Sequence, residues 1–170
     1  MSSPILEVKN VSKTFGNVKA LDSVDFSLQK GIIHGLLGEN GAGKSSLMNV
    51  LSGIYLPESG TIEIKNQKIQ KLNPDIASSL GVGMVHQEFR LIESFTIKDN
   101  LTLSKANIFS ENFEEAYKKY SEIFSLNMSF LTPINELSVG EKQKVEIMKL
   151  IFKNSEIMLL DEPTAVLTPQ

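Results

Sequence analysis

The stretch from Ile32 to Ile54, IIHGLLGENGAGKSSLMNVLSGI, decides how the rest of the chain is read. Gly38 is followed by four residues and then Gly43-Lys44-Ser45, the spacing of a phosphate-binding loop between a strand and a helix. Upstream, Ile32, Ile33, Leu36 and Leu37 form a short apolar run, which predicts a strand buried on both faces. Downstream, Leu47, Val50, Leu51 and Ile54 fall at helical spacing and predict one apolar helix face. Gly38, Gly41 and Gly43 allow backbone N–H groups to turn inward around phosphate oxygens. The start of the helix adds positive potential at the same point. In such a loop Lys44 reaches the outer phosphates of ATP and the Ser45 hydroxyl holds Mg²⁺.

Composition sets the class. The chain has 170 residues, 41% hydrophobic and 22% charged, with a net charge of −3, which suits one ordinary domain or most of one. The negative balance argues against a nucleic-acid partner. The absence of cysteine excludes disulfides and thiolate metal sites. No apolar run approaches the length that spans a bilayer. The first residues, MSSPILEVKN, lack a charged-then-apolar leader, and a cytoplasmic protein is expected.

Working outward toward the N-terminus, Leu6 and Val8 alternate with Glu7 and Lys9, and Val24, Phe26 and Leu28 alternate with Asp25 and Ser27. Two half-buried strands are expected. Phe15 lies between them, just before a turn. It is either plain core or a ring that stacks on adenine, and spacing alone favours core.

Beyond the loop, Pro57-Glu58-Ser59-Gly60 reads as a turn, Thr61–Ile64 as a strand, and Asn66-Gln67 as its return. These strands are expected to form a small antiparallel patch with the N-terminal ones. Asn73 and Pro74 open a short helix. Val82 to Val85 reads as a second buried strand that delivers His86-Gln87-Glu88 at its C-terminal end, where ligand chemistry collects in open α/β sheets.

From Ser94 to Thr132 the pattern turns helical. Thr96 and Asp99 have the spacing of a capping box. Asn112 is expected to cap a helix whose Phe113, Ala116, Tyr117, Tyr120 and Phe124 share one packed face, opposite the solvated charges Glu114, Glu115, Lys118 and Lys119. Ser138 and Glu141 repeat the capping-box spacing ahead of a helix that buries Val145, Met148 and Phe152. Ile157 to Leu160 predicts a third buried strand, ending in Asp161-Glu162-Pro163-Thr164. Carboxylates at the end of an apolar strand need a cation or donor nearby. With Mg²⁺ on ATP phosphates, Asp161 would hold the metal through water and Glu162 would polarise the attacking water.

GENGAGKSS, Gln87, LSVGE and LLDEPT stand in the order of an ABC-transporter ATPase subunit, and the chain resembles that family over its whole length. VGMVHQEF, LSVGEKQKVEI and LLDEPTAVLTPQ resemble most the first cassette of nucleoside importers and of the related ribose-type sugar importers. The implied fold is an α/β P-loop NTPase core with an N-terminal antiparallel β-subdomain and a helical subdomain. Its divisions would be 1–93, 94–153 and 154–170.

The resemblance extends the nucleotide contacts to Asn40, Ala42 and Ser46, and gives Phe15 the adenine-stacking role. Gln87 becomes a Mg²⁺ ligand and water sensor. Ser138, Gly140 and Glu141 would close on the nucleotide of a second cassette, in the same polypeptide or a homodimer. Lys44, Gln87 and Glu162 are the implied catalytic residues, with Ser45, Gln87 and Asp161 toward the metal. The implied partners are transmembrane permease subunits and, indirectly, an extracytoplasmic substrate-binding lipoprotein, with the protein peripheral on the cytoplasmic face of the membrane. The alternatives are a soluble ABC ATPase acting on ribosomes or DNA, for which no basic arm is present, and a non-catalytic nucleotide-binding remnant.

The sequence departs from the family at three points. Val139 stands where the general signature has Gly, and Glu141 where it has Gln, which sets a negative charge near an opposing γ-phosphate unless Glu141 caps its own helix. The family also carries a further strand after the acidic one, ending in a switch histidine. His34 and His86 both precede Asp161. A C-terminally truncated cassette is therefore expected, with weak nucleotide binding, little turnover, and unpaired strand edges costing about 1–3 kcal/mol per unsatisfied group.

Overall fold

The computed structural model describes residues 3–103 and 112–162. The chain divides into two compact units, Met1–Val82 and Gly83–Gln170.

The first unit is built on a four-stranded antiparallel sheet, β1 (Leu6–Phe15), β2 (Val18–Leu28), β3 (Ser59–Ile64) and β4 (Gln67–Ile69), in the order β2-β1-β3-β4. Leu6 lies opposite Leu28 and Ile64, and Val8 opposite Phe26 and Ile62, so one face of β1 is lined with apolar partners. Leu6, Val8 and Val11 are all buried, although strict alternation would turn Val11 to the other face. A bulge between Val8 and Val11 resets the register. Within it Asn10 has φ 51° and donates its N–H to the Asp25 carboxylate at 2.7 Å. The β3–β4 return is made by Lys65 and Asn66, both at positive φ, one residue earlier than the expected Asn66-Gln67.

Helix α1 (Lys44–Leu51) buries Leu47, Val50 and Leu51. Ile54 was expected on the same face, but the helix is capped at Ser52 and Gly53 turns at φ 78°, which leaves Ile54 38% exposed. Helix α2 (Pro74–Ser79) starts as expected, with the Asn73 side chain accepting from the Ile76 N–H.

The buried strand expected over 32–37 does not form. The segment belongs to neither sheet, and Ile33 is 100% and Leu37 94% exposed. An apolar run states what a segment is suited to pack against. A strand also needs neighbours for its N–H and C=O groups, and among the described residues 32–37 has none in either sheet.

The second unit centres on α5 (Val139–Phe152), which packs with α3 (Ile97–Thr102) and α4 (Phe113–Ile123). Val145, Met148 and Phe152 are fully buried with Ile97, Leu101, Phe113, Tyr117 and Ile134. Phe113 meets Tyr117, Phe130 and Phe152 at 5.4–6.0 Å between ring centroids, and Tyr117 donates its hydroxyl to the Met128 carbonyl at 3.0 Å, so the aromatic stripe is packing. Both expected capping boxes are present, Thr96–Asp99 on α3 and Ser138–Glu141 on α5. Asn112 precedes α4 as expected but makes no side-chain cap bond.

Strands β5 (Val82–Val85) and β6 (Ile157–Leu160) pair with each other. The expectation of a fully buried β6 holds only for Ile157; Met158 is 40% exposed and Leu159 and Leu160 are half-buried, and β6 has one neighbour among the described residues. No described helix is long and apolar enough to cross a membrane.

Candidate functional site

The glycine loop takes its shape from backbone that only glycine holds without strain. Gly41 and Gly43 have φ 86° and 88°. A Cβ on Gly43 would run into the Ala20 carbonyl of β2, so this residue also sets how closely the loop approaches the sheet. The Ala42 N–H donates to the Glu39 carbonyl at 3.1 Å, which closes the turn. Gly38 keeps ordinary backbone, contrary to a need for positive φ there, and an added Cβ would meet that of Ala42 at 3.2 Å.

Gly43 is also the N-cap of α1. It supplies no side-chain acceptor, and the first turn carries no acidic residue. Helices α2, α3 and α5 each have a capping side chain. The start of α1 is therefore suited to an acceptor from outside the helix, and an anion fits it. Lys44 extends back over the loop, its Nζ donating to the carbonyls of Gly38 at 2.7 Å and Glu39 at 2.9 Å. Asn40, Gly41, Ala42 and Ser45 are exposed, and Ser46 half-buried. Open amides, a basic side chain and an uncapped helix start are the features that suit a phosphate, and the hydroxyl of Ser45 is a hard donor of the kind that Mg²⁺ takes.

Phe15 is 40% exposed, its ring edge-on to Tyr55 at 5.0 Å and beneath the Lys13 ammonium at 5.4 Å. It is neither a core residue nor unsupported.

In the second unit, the Asp161 N–H donates to the Val85 carbonyl at 3.2 Å, so the exits of β5 and β6 lie side by side. Gln87 is exposed two residues beyond the end of β5, and Asp161 and Glu162 directly follow β6. Glu162 holds φ 47°, a left-handed conformation uncommon for a residue with a side chain. Pro163 and Thr164 of the acidic motif lie outside the described residues. His86, half-buried, has its pKa lowered, first by burial and then by the Arg90 charge, while Glu146 and Asp161 oppose the shift.

At the start of α5 the Glu141 carboxylate turns back, accepting from the Ser138 N–H at 2.8 Å and the Ser138 hydroxyl at 2.7 Å. These bonds lower its pKa. Val139 is 47% exposed on the same turn. Two polar residues that sequence reasoning passed over, Asn100 and Glu146, are 1% and 3% exposed. The available signal was a carboxylate set among the apolar residues Val145, Ile147, Met148 and Leu150 in the middle of α5.

A family model described as ABC transporter matches residues 21–165. The chain is 40% identical over 170 residues to the guanosine import ATP-binding protein NupO of Bacillus subtilis, covering 97% of this chain and 33% of that protein. It is 43% identical over 173 residues to the ribose import ATP-binding protein RbsA of Caldanaerobacter subterraneus subsp. tengcongensis, covering 97% and 34%. The chain thus spans about a third of the length of these relatives. Among solved structures, it resembles a dimeric post-hydrolysis state of an ATP-binding cassette bound to ADP and Pi, with a TM-score of 0.80, 27% identity, and coverage of 96% of this chain and 76% of that one.

Proposed function

The chain belongs to the ABC transporter family, and on that premise we propose that it is an ATP-binding and ATP-hydrolysing part of an importer of nucleosides or simple sugars. The single observation that carries the nucleotide assignment is the start of α1, where two positive-φ glycines, an uncapped first turn and Lys44 converge. The cargo class rests on the printed names of the guanosine and ribose import relatives.

In this reading the amides of 41–46 and Lys44 bind the triphosphate, Lys44 exchanging its loop carbonyls for phosphate oxygens. Phe15 supports the adenine ring. Ser45 would offer Mg²⁺ its hydroxyl, and Gln87 and Asp161 would offer it side-chain oxygens; the ion would neutralise phosphate charge. Glu162 accepts a proton from the attacking water and Gln87 helps to orient it. Ser138 and Gly140 present the start of α5 to the nucleotide of a second cassette; Glu141, bonded to its own Ser138, stabilises that turn. Membrane permease subunits and a location on the cytoplasmic face follow from import. Functionally the chain divides into a β-subdomain with the P-loop half, 1–93, a helical subdomain, 94–153, and the acidic strand region, 154–170.

The test is MgATP turnover by the purified full-length protein, and its loss in Lys44→Ala. Equal turnover in both proteins would refute the reading.

A further inference from the structure

The loop that follows Gln87 is held in an unusual way. Arg90 donates its N–H to Glu146 Oε1 at 2.6 Å, and its carbonyl accepts from Lys149 Nζ at 2.7 Å. Two residues on, Ile92 donates its N–H to Asn100 Oδ1 at 2.8 Å and accepts from Asn100 Nδ2 at 3.1 Å. Alternate residues thus have both backbone groups bonded by side chains, one pair from α5 and one side chain from α3. This is what a neighbouring strand would otherwise do. Glu93 completes the fastening: its carboxylate accepts from Lys142 Nζ at 2.8 Å and its carbonyl from the Asn135 N–H at 3.1 Å.

Glu146 and Lys149 also pair with each other at 2.9 Å, one turn apart on α5. Both are largely removed from water, and α5 also buries Gln143 and Leu150 on the turns to either side of Glu146. A buried ion pair rarely adds stability over apolar residues of similar size. Packing alone therefore does not account for it, whereas the two backbone bonds to Arg90 do.

We propose that Glu146, Lys149 and Asn100 are positioning residues that fix residues 90–93 to the helices, so that movement at the Ser138 end of α5 reaches Gln87 through the short segment 86–89. The inference rests on the function proposed above. The charged clip on Arg90 acts through Gln87 and touches neither nucleotide nor metal.

The test uses the full-length protein. Amide exchange reads the clip without any need for turnover: Glu146→Ala should speed exchange at Arg90 by about tenfold or more and leave Ile92, held by Asn100, within about twofold. In steady-state turnover, Glu146→Ala should lower kcat about tenfold with KM for MgATP within about twofold. Glu146→Gln, which retains an acceptor for the Arg90 N–H, should recover most of that loss and guards against a folding defect in the alanine variant. In a Gln87→Ala background the residual turnover should be insensitive to Glu146→Ala. Losses that multiply across the two sites, or unchanged exchange at Arg90, would overturn the inference. A wild-type protein without ATP turnover would instead defeat the proposed function, with Arg90 exchange still deciding whether the clip exists.

Discussion

Glu141 bonds to Ser138 twice, through the backbone N–H at 2.8 Å and the hydroxyl at 2.7 Å. The carboxylate is thereby spent on its own helix start, at the point where the family signature has a neutral residue. Two donors already engage the charge, and by lowering its pKa they keep the carboxylate ionised on its own helix start. Glu141→Gln keeps the capping-box pattern, so ATP affinity and turnover should stay within about twofold of wild type. Ser138→Ala should cost about 1 kcal/mol in denaturant unfolding, and a larger drop in turnover if this turn meets nucleotide. A strong gain in ATP affinity in Glu141→Gln would mean that the carboxylate faces the phosphate after all.

Gly43→Ala should be among the most damaging single-methyl additions in the first unit. The residue sits at φ 88° and a Cβ would strike the Ala20 carbonyl. Backbone strain alone is worth about 1–3 kcal/mol, before the steric contact is counted. Thermal unfolding and nucleotide binding should both suffer, whereas Gly41→Ala, strained but with nothing within 4 Å of the added atom, should spare stability more.

His86 makes stability depend on pH in a defined direction. Its folded pKa lies below the 6.5 of an ordinary histidine, chiefly through burial. As pH falls through 6.5 the unfolded chain takes up the proton first, so protonation favours unfolding and stability declines on the acid side. Above that pH the histidine is neutral in both states and contributes no slope. Unfolding midpoints measured between about pH 5 and 8 should therefore fall less steeply with acid in His86→Gln than in wild type.

Glu162→Gln should lower ATP turnover by about 10²–10⁴ while leaving ATP binding close to wild type. The substitution keeps the shape and the left-handed φ of 47° tolerated at this position, so its effect isolates the missing base. Rapid-quench turnover and equilibrium nucleotide binding on the same preparation separate the two. Unchanged turnover would remove Glu162 from the role.

Much of this arrangement is legible in the residues themselves. Asn73 before Pro74, Thr96 before Asp99 and Ser138 before Glu141 are local signals, and each forms the cap that its spacing implies. The glycine spacing fixes the loop for the same reason, because backbone torsion is a local property. What local pattern could not supply was the presence of neighbours. Ile32, Ile33 and Leu37 have the composition of a central strand, yet the segment has no ladder partner among the described residues and stays exposed. Met158 lies in a strand that does pair, with β5, and is still 40% exposed. The bonds from Glu146, Lys149 and Asn100 to Arg90 and Ile92 join residues up to 59 positions apart, and nothing in the spacing of either segment announces them.

The most direct measurement is a crystal structure of the full-length protein with a non-hydrolysable ATP analogue and Mg²⁺. The γ- and β-phosphate oxygens are expected within hydrogen-bond distance of the amides at the start of α1 and of Lys44 Nζ, with the metal on Ser45. A nucleotide seated elsewhere, with Lys44 still bonded to the carbonyls of Gly38 and Glu39, would contradict it.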